Sequence, residues 1–189
     1  MFSVFSQPIQ RFLASQPWFV ALPAQQQESI AAQVFTLTAP RGQTILPANE
    51  RTRGWYGVVE GLVKISGCAK AGRRSDFLGV AAGDWFGEGA VLKNELRRYE
   101  VIALRDTALL CLPSAVFDTL FATNLAFNHQ LVACMNLRLS QAMAMIDAGR
   151  TRNPEQRIAL SLSRLFWSRT RQLDLTQDEL ANLAGMSRQ

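Results

Sequence analysis

The pattern of apolar and polar positions changes character three times along this chain. Residues 8–34 read as helical with a break at Leu22–Pro23, where Pro23 opens a second short helix whose body is Gln25 to Val34. From about Thr36 to Leu112 the apolar residues fall into short β-rich runs: Thr44–Leu46, Trp55–Val59, Leu62–Ile65, Phe77–Val80, Val101–Leu104 and Ala108–Leu112. Glycines such as Gly42, Gly54, Gly61, Gly83 and Gly87 separate them. Many short strands at this spacing predict a small all-β sandwich or barrel. Pro113 ends that region, and helical periodicity returns with a short amphipathic helix over Ser114–Thr123 and a longer one from Asn124 to about Ala148.

The longer helix carries two apolar stripes. Leu125, Asn128, Val132, Met135, Leu139, Ala142 and Ile146 recur in alternating steps of three and four, the seam of a coiled coil. Phe127, Leu131, Cys134, Arg138 and Met145 form the second stripe. One stripe can cover the β region, and the other predicts a parallel homodimer with Val132, Met135, Leu139, Ala142 and Ile146 at its interface. Asn128 would be a polar register pin in that seam.

Beyond Gly149 a hinge ending in Asn153–Pro154 leads into Arg157–Trp167, with Ile158, Leu162, Leu165 and Phe166 on one helical face. The last fifteen residues then show a helix start and stop. Thr176 is a good N-cap and Glu179, three residues on, completes a capping box. Leu180, Leu183 and Ala184 supply an apolar face, Gly185 stops the helix, and Ser187 caps a new one that Arg188 and Gln189 begin. The pattern is a helix-turn-helix that reads as cut short inside its second, recognition helix. Thr176, Ser187, Arg188 and Gln189 are therefore the expected DNA-contacting residues. The expected division is residues 1–113, 114–149 and 150–189.

Composition supports this picture and removes others. The hydrophobic share of 48% is ample for a core, and the net charge is +5. Of the 20 basic residues only Lys64, Lys70 and Lys93 are lysine, so the chain is rich in the planar guanidinium forks that suit phosphates and carboxylates. No run approaches the roughly 20 apolar residues of a membrane span, and no signal peptide is evident at the start, which predicts a cytoplasmic protein without a membrane partner. Cys68, Cys111 and Cys134 are far apart and His129 is the single histidine, giving no zinc pattern, disulfide framework or triad. Paired carboxylates and a P-loop are also missing, so the expectation is not an enzyme.

The sharpest chemical motif runs from Gly83 to Glu100. Phe86–Gly87–Glu88 is followed by Arg98 ten residues after the glutamate, and then a strand begins. A glycine turn exposes backbone N–H groups, a short helix start adds its positive end, and an arginine supplies a bidentate fork. Together these make an anion cradle, with Glu88 free to accept from a hydroxyl. The alternative is that Arg97 or Arg98 merely pairs with Glu88 or Glu95.

This order of parts resembles the bacterial cyclic-AMP-receptor/fumarate-nitrate-reductase-regulator (Crp/Fnr) family over nearly the whole chain. The resemblance implies an α+β protein. Its N-terminal double-stranded β-helix is a jelly-roll-like cyclic-nucleotide-binding β-roll, followed by a long dimerisation helix and a partial winged helix-turn-helix. It implies a transcription regulator that is a homodimer, binds promoter DNA and works with RNA polymerase. It assigns Gly87 and Glu88 to a ribose, Arg98 to a phosphate with Tyr99 beside it, and Arg138 to the pocket from the dimer helix. Tyr99 departs from the family's small hydroxyl residue, and Ala142 and Met143 cannot read an adenine amino group. Both departures argue against cyclic AMP itself and leave another cyclic nucleotide or anionic effector. With no cysteine before Cys68 and one histidine, iron–sulfur and haem cofactors are not expected. The competing reading is a nucleotide-binding regulatory module that acts on a partner protein without DNA.

Overall fold

The computed structural model describes residues 7–67, 75–150, 155–156, 158–159 and 175–184. Cys68, most of the helix expected over residues 157–167, and the predicted DNA-contacting Ser187, Arg188 and Gln189 lie outside them.

The leading helical stretch is three helices, not two: α1 (Gln7–Ala14), α2 (Pro17–Val20) and α3 (Ala24–Gln33). The unexpected break comes from Pro17, which has no N–H to continue α1 and stands at the start of α2. Eight strands follow: β1 (Phe35–Ala39), β2 (Thr44–Leu46), β3 (Gly54–Glu60), β4 (Leu62–Gly67), β5 (Ser75–Ala81), β6 (Trp85–Phe86), β7 (Tyr99–Ala103) and β8 (Thr107–Pro113). The six-residue α4 (Glu88–Lys93) sits between β6 and β7. β1 and β6 were not among the expected strands. β6 is only two residues long, and β1 shows a half-exposed alternation too short to stand out.

All pairings are antiparallel and give two four-stranded sheets, ordered β1-β8-β3-β6 and β2-β7-β4-β5. The fold is the jelly-roll β-roll. Its first sheet is buried on both sides, and the strand pleat sorts its residues between them. Tyr56, Val58, Leu109 and Cys111 point between the sheets, while Trp55, Leu110 and Leu112 point to the helices.

Helices α5 (Ser114–Thr123) and α6 (Leu125–Arg150) follow β8 and close over the helix-facing side. Asn124 caps α6, its Oδ1 accepting from the Phe127 N–H at 2.7 Å. An aromatic layer fills this side. Trp55 stacks on Trp85 with ring centroids 4.4 Å apart, and Phe127 of α6 meets Trp18, Trp55 and Phe117 edge-on at 5.2–5.6 Å. Gly57 lets α1 approach the sheet: a Cβ there would lie 2.4 Å from the Phe12 ring. A side chain at position 57 would push α1 off the sheet.

α7 (Gln177–Ala184) packs beside β5, with Leu175 against Leu62, Ala81 and Leu104. The capping box expected at its start is present. Thr176 Oγ1 accepts from the Glu179 N–H at 3.2 Å, and Glu179 Oε2 accepts from the Thr176 N–H at 2.8 Å.

Candidate functional site

The site lies where β6 turns into α4, facing the start of β7 and the middle of α6. Gly87 makes the turn with φ +94°, a left-handed conformation that glycine adopts without strain. Glu88 opens α4 and is buried, and its Oε2 accepts from the Trp55 indole N–H at 3.4 Å. Arg138 reaches across from α6. Its Nη2 donates to the Trp85 carbonyl at 2.7 Å and its Nη1 to Gln141 Oε1 at 2.9 Å.

The structure turns Arg97, not the expected Arg98, inward. Arg98 points outward with its side chain 82% exposed, and its Nη2 donates to Glu95 Oε2 at 3.2 Å. Arg97, nine residues after Glu88 rather than ten, is the buried one at 2% exposure. The backbone explains the swap. The Arg97 N–H donates to the Glu50 carbonyl, and the Asn49 N–H donates to the Arg97 carbonyl. This pairing carries the pleat of β7 backward, so Arg97 and Tyr99 share the inner side with the fully buried Val101 and Ala103. Counting back in twos from Val101 would have found Arg97 in the sequence.

Arg97 is incompletely used. Its Nε donates to the Pro47 carbonyl at 3.2 Å and its Nη2 lies 3.9 Å from Glu50 Oε2. Its buried Nη1 has no hydrogen-bond partner among the described residues. A buried guanidinium N–H left without an acceptor costs about 1–3 kcal/mol. An anion supplying an oxygen would remove that penalty.

Tyr99 lies over the Gly87 turn, with its hydroxyl 3.7 Å from where a Gly87 Cβ would stand and the Tyr56 ring at 3.2 Å. Burial first, then the negative charge of Glu88, pushes the Tyr99 phenol up to about 12, partly offset by Arg97 and Arg138. The phenol therefore stays a hydrogen-bond donor through the physiological range. Gly87, Glu88, Tyr99 and Arg138 are thus brought together, joined by Arg97 and Tyr56.

Four of the residues expected at the dimer interface lie on a face of α6 turned away from the β-roll. Val132 (55%), Met135 (46%) and Leu139 (60%) are exposed, as is Ala142, and Ile146 falls in the last turns of the helix. Thr176 is exposed at the start of α7, far in sequence from this pocket. Cys111 is buried and Cys134 half-buried, and burial drives their thiols up to about 12 and about 11. No helix among the described residues is long and apolar enough to cross a membrane, and no group of metal-ligating side chains occurs among them.

Known proteins place this geometry. Residues 36–124 match the family described as Cyclic nucleotide-binding domain. The cyclic AMP receptor protein of Thermus thermophilus is 27% identical over 151 residues, which span 79% of this chain and 70% of that protein. Among solved structures, the Thermus thermophilus catabolite activator protein superposes with a TM-score of 0.58 at 25% identity, over 90% of this chain and 81% of that one. A transcriptional regulator of the crp/fnr family from Eubacterium rectale superposes with a TM-score of 0.70 at 18% identity, a likeness of fold, over the same 90% and 81%. Strand order, site and matches together define a cyclic-nucleotide-binding β-roll followed by a long helix. These matches support assignment of the chain to the Crp/Fnr family.

Proposed function

We propose that this protein is a homodimeric, DNA-binding transcription regulator whose β-roll takes an anionic effector. The observation that carries the reading is the double use of α6. One face reaches the cradle through Arg138, and the opposite face presents an apolar stripe in helical register. Exposed apolar side chains in one continuous seam call for a second surface, and a symmetric copy of the same helix supplies it. Effector contacts on one face of α6 can then bias how two copies pack along the other.

The effector is an anion held by Arg97, with the Tyr99 hydroxyl as a second donor. Cyclic AMP itself fits less well. The space over Gly87 is lined by Tyr56 and Tyr99, Glu88 already accepts from Trp55, and both Nη groups of Arg138 are engaged. Ala142 and Met143 offer no hydrogen bond to a base. DNA contact is assigned to residues 150–189, which hold seven arginines against four acidic residues. Phosphate contacts there would supply affinity and the recognition helix the sequence choice.

Selection of a random-sequence duplex library on the purified protein tests the reading. Enrichment of a two-fold symmetric site, with half-sites about 10 base pairs apart or a multiple of that, is expected of a dimer. A monomeric protein that enriches nothing would leave a nucleotide-binding module acting on a partner protein.

A further inference from the structure

The start of α7 is seated on the β-roll by a bidentate ion pair, an apolar contact and a second ion pair. Glu179 is 4% exposed and takes a fork from Arg105, which lies in the turn between β7 and β8. Arg105 Nε donates to Glu179 Oε1 and Arg105 Nη2 to Glu179 Oε2, each at 2.8 Å. Two parallel short bonds of this kind are the strong, direction-fixing form of an arginine–carboxylate pair. Glu179 Oε2 also closes the capping box with Thr176, so one carboxylate serves the helix start and the domain contact together. Beside it, Leu175 lies against Leu62, Ala81 and Leu104, and Asp178 faces Arg41 at 3.9 Å. The Arg41 N–H is itself fixed by Asp106 Oδ1 at 2.9 Å, in the same turn as Arg105.

We propose that this face of the β-roll is a docking surface for the chain's own segment Leu175–Ala184. Arg105 is its clamp, and the clamp holds the C-terminal part away from duplex DNA until it is released. A carboxylate this buried is worth keeping only with its partner in place, since removing Arg105 leaves an uncompensated charge under the turn. The clamp opens as a unit for that reason. The polar pair fixes the orientation of α7 while the small apolar patch under Leu175 supplies adhesion. The docked helix is the one read as the first helix of the helix-turn-helix, so the DNA half of the proposal rests on the function proposed above.

Two readouts on the 189-residue chain test it. Hydrogen exchange across residues 175–184 is expected to rise about tenfold or more in Arg105→Ala, and less in Glu179→Gln, which keeps an acceptor for Thr176. Exchange in β7 and β8 should stay as in the wild type, which separates undocking from unfolding. Unchanged exchange across 175–184 in Arg105→Ala overturns the clamp. Affinity for a non-specific duplex gives the second readout, with opposed signs. Loss of a cation alone weakens binding, whereas release of the clamp strengthens it several-fold. Tighter binding by Arg105→Ala supports the inhibitory role, and equal or weaker binding overturns it. If neither wild type nor variant binds duplex at low salt, the DNA reading falls while the exchange result still decides the clamp.

Discussion

The two faces of α6 have opposite fates, and the contrast shows what one copy of this chain explains. The inward face buries Phe127 and Leu131 completely or nearly so, and Gln141 at 3%. Phe127 meets the tryptophan layer, Leu131 joins the same core, and Gln141 accepts from Arg138. The outward face leaves Leu125 at 69%, Leu139 at 60% and Met143 at 60%. Single exposed apolar residues need no explanation, but a seam of them at coiled-coil spacing does. The inward face is accounted for by the fold of one chain, and the outward face is the one proposed to meet a second copy. Arg97 and Arg98 repeat the lesson at residue scale. Neighbours of identical chemistry are separated by the pleat into a buried cation with its Nη1 unspent and a surface ion pair.

The largest expected effect lies on the inward face. Phe127→Ala should cost about 3–5 kcal/mol of stability, read as a lower urea midpoint, because it empties the centre of three aromatic contacts. Leu139→Asp attacks the outward face. It should turn a dimer into a monomer by sedimentation while changing the unfolding free energy of the β-roll by no more than about 0.5 kcal/mol. Were Leu139→Asp to unfold the domain instead, the two faces would not be independent.

Titration sharpens the same contrast. Burial raises the Cys134 thiol from the ordinary 9.0 to about 11, with Glu88 adding to the shift. Alkylation at pH 8 should then run roughly a hundredfold slower than for a free thiol, because the thiolate is the reacting form. The stabilisation linked to this thiol is complete below pH 9 and is lost as pH rises through about 11. Glu179 runs the other way. Burial raises it, but bonds from Arg105 and Thr176 outweigh that and hold it below the ordinary 4.5. The seating of α7 should persist above pH 4.5 and fail as pH falls through the lowered value, seen as faster exchange across 175–184. The smallest effect belongs to Arg98→Ala, an exposed ion pair whose loss should change stability by under about 0.5 kcal/mol in chemical unfolding.

Much of this architecture is legible in the sequence because period and punctuation carry it. The strand runs, the two stripes of α6 and the Thr176–Glu179 capping box each rest on local spacing that tertiary context did not override. Pro17 is a local signal of the same kind, and it splits the leading helices. A fixed offset from Glu88 leads to the exposed Arg98 rather than the buried Arg97, because it ignores the length of the turn after α4, where Asn94 sits in a left-handed conformation. The alternation of β7 points to Arg97 as the inward arginine. The seating of α7 on Arg105 was not legible at all, since it joins residues 74 apart through a surface that only the fold assembles.

The most direct test of the anion cradle is a thermal-shift titration of the wild type, Arg97→Ala and Arg98→Ala. The ligands are inorganic phosphate, cyclic AMP, cyclic GMP and cyclic di-GMP. A ligand that binds only the folded protein stabilises it by about 2.7 kcal/mol at roughly 100 times its dissociation constant. The account predicts a rise in Tm with at least one of these anions that survives in Arg98→Ala and disappears in Arg97→Ala. A rise that survives in Arg97→Ala and is lost in Arg98→Ala, or no rise with any of them, would contradict it.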